Sequence, residues 1–170
     1  MDETFLIGII LNSNNVQVWD TVKEAFVLAL KRQETRFDLV YFYQTGVMDV
    51  GDRLAKGLSR LVTAKPEKIR FTDALRTTLD VVDSQTTHDF QRWLFVITDN
   101  YTSKSELISS LILSKQDISY VFFGLGEKYD KTSLEKLGMV CHADNPNLLK
   151  EEIIKFIDKM VEERKNGRYV

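Results

Sequence analysis

Two rhythms of apolar residues alternate along the chain. The first is a short, nearly unbroken run. Phe5 to Leu11 is apolar apart from Gly8 and stops at the polar stretch Asn12 to Asn15. A run of that length, closed by turn-forming residues, predicts a strand buried on both faces. Phe37 to Tyr43, Trp93 to Ile97, Ile118 to Leu125 and Met139 to His142 repeat the signal. The second rhythm is helical. Val18, Val22, Ala25, Phe26, Ala29 and Leu30 predict an amphipathic helix over 17–33. Leu54, Leu58, Leu61 and Val62 predict a second helix, and Leu75, Thr78, Leu79 and Val82 a third. Ser103 with Glu106 has capping-box spacing before a helix carrying Leu107, Leu111 and Ile112, and Thr132 with Glu135 repeats it over a short helix. Asn145 followed by Pro146 predicts a cap and a first-turn proline. The last helix then carries Leu149, Ile153, Phe156, Ile157 and Met160 on one face.

Strands that alternate with helices imply right-handed crossovers and helices on both sides of a parallel sheet. The expected fold is a three-layer α/β/α, Rossmann-like architecture with a mostly parallel sheet of about six strands. Residues 44–49 are expected to return as one antiparallel edge strand. Ligands of such sheets bind beyond the carboxyl ends of the strands, where strand order reverses. That rule points to the loop at Asn12 to Asn15 and the loop at Asp99 to Thr102. The 170 residues suit one domain spanning 1–170. Elements that begin and end almost at the chain's ends are what a domain cut from a longer protein would show.

Composition narrows the function. The net charge is −2, so no global charge draws the chain to nucleic acid or anionic membrane. No apolar run approaches the roughly 20 residues of a membrane-spanning helix. The N-terminus opens with Asp2 and Glu3 and lacks the basic region of a secretory signal. Cys141 is the one cysteine, which excludes an internal disulfide and suits a reducing, cytoplasmic compartment.

Catalytic motifs are missing. Gly124-Leu125-Gly126 follows a strand, but Glu127, Lys128 and Tyr129 stand where a dinucleotide fingerprint needs its third glycine. There is no phosphate-binding P-loop and no Gly-x-Ser-x-Gly elbow. Cys141, His142 and His88 are too few and wrongly spaced for zinc. Cys141 reads as a small core residue, and His142 as a strand-end residue rather than a base. Lys65, Lys68 and Arg70, and also Lys128, Lys131 and Lys136, read as solvated basic loops that would favour an acidic partner if they flank the site. Trp19 reads as part of the core rim, or as a binding hot spot if exposed.

Five segments, taken in order, resemble the von Willebrand factor A (vWA) family over essentially the whole chain. They are Leu11-Asn12-Ser13-Asn14-Asn15 after the first strand, Phe37 to Phe42, Thr72-Asp73-Ala74-Leu75, Leu94 to Asn100, and Tyr120 to Gly126. The resemblance implies a metal-ion-dependent adhesion site. That site is built from an Asp-x-Ser-x-Ser loop, a threonine and an aspartate after the fourth strand. Magnesium takes about six oxygen ligands, some of them water. Thr72 and Asp99 match the threonine and the aspartate. If Asn12 takes the first aspartate's place, Asn14 and Val16 fall on the serines; if Leu11 does, Ser13 and Asn15 fall there. Either register loses the first carboxylate, and charge count tunes affinity for divalent ions.

The expectation is therefore a protein-interaction module and not an enzyme, with a degenerate metal site and no cofactor, or weakly bound magnesium through Asn12, Thr72 and Asp99. Its binding face would comprise Asn12, Ser13, Asn14, Thr72, Asp99 and Asn100, meeting a protein partner through an acidic side chain. Two alternatives stay open: a working magnesium-dependent ligand site, and an α/β hydrolase using Asp99 with Asp73. Simple helix or turn capping by Asp99, Thr72 and Asp73 accounts for the same residues.

Overall fold

The structure, a computed structural model, describes residues 4–32, 36–41, 71–84, 91–100 and 117–165. Its elements, in chain order, are β1 (Thr4–Asn12), α1 (Val16–Lys31), β2 (Arg36–Tyr41), α2 (Phe71–Ser84), β3 (Gln91–Thr98), β4 (Ile118–Leu125), α3 (Lys131–Glu135), β5 (Met139–Ala143) and α4 (Pro146–Lys165). The strands form one sheet in the order β2-β1-β3-β4-β5, and every pairing is parallel. Strand order reverses at β1, with β2 on one side and β3 on the other. Five parallel strands are thus described. The expected antiparallel strand at 44–49, the helix carrying Leu54 to Val62, the Ser103–Glu106 capping box and the Lys65–Arg70 basic loop lie outside the described residues.

Alternation along each strand sends side chains to two cores. Phe5, Ile7, Ile9 and Leu11 join Trp93, Phe95, Ile97, Val121 and Phe123 beneath α1 and α4. Leu6, Ile10, Leu94, Val96 and Phe122 join Leu75, Leu79 and Val82 of α2 on the opposite face. The first core is aromatic at its centre. Phe95 lies 5.6 Å from both Phe26 and Phe156, and 5.9 Å from Phe123. These tilted and edge-on geometries suit the ring quadrupoles. The second core admits α2 closely because position 8 is glycine. A Cβ there would sit 2.9 Å from Leu94 and 3.0 Å from Thr78. Thr78 is buried, and its hydroxyl is satisfied by the Ala74 carbonyl at 2.8 Å.

Caps set the helix boundaries. Asn15 opens α1 by accepting from the Gln17 N–H at 2.9 Å, two residues before the sequence signal placed the first helical side chain. Asn145 caps α4 through the Leu148 N–H at 3.0 Å, with Pro146 in the first turn as expected. The short helix is capped by Asp130, which accepts from the N–H and hydroxyl of Ser133, rather than by the expected Thr132. Asp130 precedes the Thr132–Glu135 pair by two residues, and its shorter carboxylate reaches the first-turn N–H directly.

Candidate functional site

Parallel pairing carries the ends of β1 and β3 to one edge. Asn12 pairs with Thr98, so the residues that follow, Ser13 and Asp99, emerge side by side. Their hydrogen bonds form two short ladders. On the side of the α2 core, Asn12 Nδ2 donates to Thr98 Oγ1 at 3.0 Å. Thr98 Oγ1 also donates to the Asn100 carbonyl at 3.1 Å and accepts from the Asn100 N–H at 3.3 Å, fixing the turn after β3. In the next position along, Ser13 Oγ donates to Asp99 Oδ2 at 2.6 Å, and Asn100 Nδ2 donates to Asp99 Oδ1 at 2.7 Å. Both carboxylate oxygens are engaged. Bonds to a charged acceptor of this kind are short and about twice as strong as neutral ones.

Ser13 holds this junction together. It is 1% exposed, its Oγ accepts from the Asn15 N–H at 3.1 Å, and its carbonyl accepts from Trp19 Nε1 at 2.8 Å. Trp19 is itself 1% exposed, so it anchors the loop from the core and is no exposed hot spot. Leu11 is a core side chain at 1% exposure, which makes Asn12 the first polar position at the strand's end. Asn14 and Val16 are exposed beside it.

The sequence-predicted residues are therefore distributed unevenly. Asn12, Ser13, Asp99 and Asn100 meet in one hydrogen-bonded cluster, and Asn14 borders it. Ser13 is too buried to meet a partner and instead positions Asp99. Thr72 stands half-buried in the first turn of α2, not in a loop before it. No hydrogen bond joins it to Ser13 or Asp99 among the described residues. Asp73, one residue on, is exposed. Sequence reasoning missed two participants. Thr98 bridges the two loops, and its signal was its register opposite Asn12. Trp19 fixes Ser13, and its signal was a polar indole N–H on an otherwise apolar helix face.

The fold invites comparison with known structures. No protein-family model and no curated protein sequence matches the chain. Proximal thread matrix protein 1 from the mussel byssus superposes over 92% of this chain and 47% of its own, at TM-score 0.69 and 14% identity. A von Willebrand factor type A protein from Catenulispora acidiphila superposes over 94% of this chain and 43% of its own, at TM-score 0.65 and 18% identity. The SpRpn10 VWA domain superposes over 89% of this chain and 93% of its own, at TM-score 0.60 and 14% identity. The chain has the von Willebrand factor A fold. It spans just under half the length of the mussel and Catenulispora chains.

Proteins with the vWA fold can hold a metal. A further structure of the mussel protein, at TM-score 0.64 and 15% identity over 91% of this chain and 47% of its own, has zinc in its metal-ion-dependent adhesion site. Among the described residues, the junction offers such an ion a weaker donor set. Among the described residues, Asp99 is the one carboxylate at the junction, and its oxygens already accept hydrogen bonds from Ser13 and Asn100. Asn12 turns its N–H toward Thr98. Among the described residues, no group of three or more His, Cys, Asp or Glu side chains is placed to hold a metal. Each Asp99 oxygen keeps a further lone pair, but among the described residues a divalent cation would meet one carboxylate where the adhesion site has two.

Proposed function

We propose that this vWA domain is a non-catalytic interaction module, working in a reducing compartment, that docks a protein partner on the carboxyl rim without a metal ion. The observation that carries the reading is the bonding of Asp99 by Ser13 and Asn100, which gives each carboxylate oxygen a donor without a cation. Loops on a rigid sheet are where binding residues concentrate. Among the described residues of this rim, Asn14, Asn15, Val16 and Gln17 are exposed, with Asn12, Asp99 and Asn100 partly exposed. Side-chain amides offer donors and acceptors together and suit a peptide backbone or neutral polar groups. An acidic partner side chain would meet Asp99 as a like charge unless a cation lay between them. Cation-free docking therefore favours a partner that supplies hydrogen-bond donors.

The test is affinity capture with the full chain against an Asn14→Ala/Asn100→Ala variant, each with and without EDTA. The reading expects one set of partners held by the wild type in EDTA and lost from the variant. Capture that survives the double substitution, or that EDTA abolishes, contradicts it. So does hydrolytic activity that disappears in Asp99→Ala.

A further inference from the structure

β5 is the last strand in the described order, and among the described residues no strand pairs with its outer side. The bond from the Gly126 N–H to the Ala143 carbonyl, at 2.9 Å, shows which way its peptide groups face. A strand residue points its N–H and carbonyl to one side, and the next residue points both to the other. Met139, Cys141 and Ala143 therefore face β4, and Val140 and His142 turn both groups outward. Natural sheets guard such an edge with charged side chains, proline or a bulge. Met139 to Ala143 contains no Asp, Glu, Lys, Arg or Pro. Met139 is 53% exposed, on the face where Cys141 packs against the aromatic core.

The edge is also held in place from within. The Tyr129 ring covers Gly124 so closely that a Cβ there would lie 2.1 Å from the ring. Tyr129 Oη lies 2.5 Å from His142 Nδ1, and His142 Nε2 lies 2.7 Å from Asp144 Oδ1. The end of β5 is thus fixed in extended form, and pairing has little further order to impose on it. At the other end the Gly138 N–H is taken by the Leu134 carbonyl at 3.2 Å, and the Gly138 carbonyl continues the outward row. Lys136 and Asp144, both exposed, flank the strand with opposite charges.

We propose that β5 is a self-recognition edge, through which two copies of this chain join as antiparallel strands about a two-fold axis at Val140. Charge selects that register. Two-fold pairing centred on Val140 brings Lys136 of one protomer to the level of its partner's Asp144, and the symmetry repeats the contact. Any other centre on the strand displaces the two. In this register Val140 exchanges both backbone bonds with its own copy, and the His142 N–H donates to the partner's Gly138 carbonyl. Met139 lies beside the partner's Cys141, which covers its exposed side chain. One short strand from each copy buries little area, so the dimer is weak and fills as concentration rises. β4 separates this edge from the Asn12–Asn100 cluster, and the pairing does not rest on the interaction reading above.

The experiment is sedimentation equilibrium of the full chain over about a hundredfold range of concentration, since a dissociation constant is read against concentration. The wild type should pass from monomer to dimer. Exchange of the Val140 and His142 amides should slow as the dimer fills, while the Met139 and Cys141 amides, already turned to β4, should not respond. Lys136→Glu and Asp144→Lys should each weaken dimerisation roughly 2- to 30-fold, as expected for two symmetric exposed ion pairs. The two substitutions together should recover it. Met139→Lys, at an exposed position, should also weaken the dimer while its melting temperature reports an intact monomer. A wild type that stays monomeric throughout overturns the proposal. So does a dimer that is indifferent to the single substitutions, or that the double substitution fails to recover. None of these results bears on whether the rim binds a partner.

Discussion

The two faces of the sheet reach the carboxyl rim in different ways. The face under α1 and α4 is built from large rings, Phe26, Trp93, Phe95, Phe123 and Phe156, and its helices are tied together by the ion pairs Arg32–Asp158 and Lys150–Glu24. That face ends in the Ser13–Asp99 contact, fastened from within by Trp19. The face under α2 is mainly aliphatic and brings the helix down onto Gly8. It ends in the row Asn12, Thr98, Gly124 and His142, whose far end is half-open to water. The first face fixes a scaffold, and the second carries polar groups to the rim.

Substitutions can break that contrast, beginning with the aromatic core. Phe95→Ala removes the ring that touches Phe26, Phe123 and Phe156, and should cost about 3–5 kcal/mol in chemical denaturation. A loss below that of an ordinary surface substitution would show that the face is not the scaffold. Ser13→Ala removes the donor to Asp99 and the acceptor for Asn15 N–H at a buried position, for about 1–3 kcal/mol. Gly124→Ala drives a Cβ into the Tyr129 ring and should cost a similar or smaller amount, roughly 1–2 kcal/mol, because the turn can lift away. Its signature is the loss of the Tyr129–His142 bond, visible in the histidine ring shifts. Asp158→Ala breaks a partly exposed ion pair and should change stability by less than about 1 kcal/mol, an effect that salt erodes.

The smallest effect is set by pH. The hydroxyl of Ser133 first, and then its N–H, hold the Asp130 carboxyl below its usual range. A carboxyl depressed in the folded state contributes stability above its unfolded value and loses it as pH falls through the folded one. The cap on α3 should therefore persist at neutral pH and fail only in strong acid. Exchange of the α3 amides at low pH checks this, and Asp130→Asn should remove the dependence.

Much of the scaffold was legible in the residues. Uninterrupted apolar runs mark β1, β3 and the second half of β4, which are buried on both faces; β5, the last strand in the described order, is largely exposed although its residues gave the same signal. The Asn145–Pro146 cap was legible because its geometry is local. The rim was legible only in part. Asn12 and Asp99 could be placed on one edge from strand order, because parallel strands end together. The Ser13–Asp99 bond could not, since it depends on a one-residue register between β1 and β3 that spans 86 positions of sequence. Thr72 matched a family pattern, yet α2 starts before it and, among the described residues, no hydrogen bond draws it to the cluster. The Tyr129–His142 contact was hidden for another reason. Gly124 resembled part of a phosphate-binding fingerprint, whereas in the fold its missing side chain makes room for a ring.

The central claim is that hydrogen bonds, and not a cation, close Asp99 at the rim. Thermal unfolding of the wild type in EDTA and in millimolar magnesium or manganese tests it most directly. An ion at 100-fold its dissociation constant would add about 2.7 kcal/mol to stability. The account predicts coincident melting curves for the wild type and a metal-dependent rise only when Asn12→Asp restores the missing carboxylate. A rise in the wild type that is lost in Asp99→Asn would contradict it.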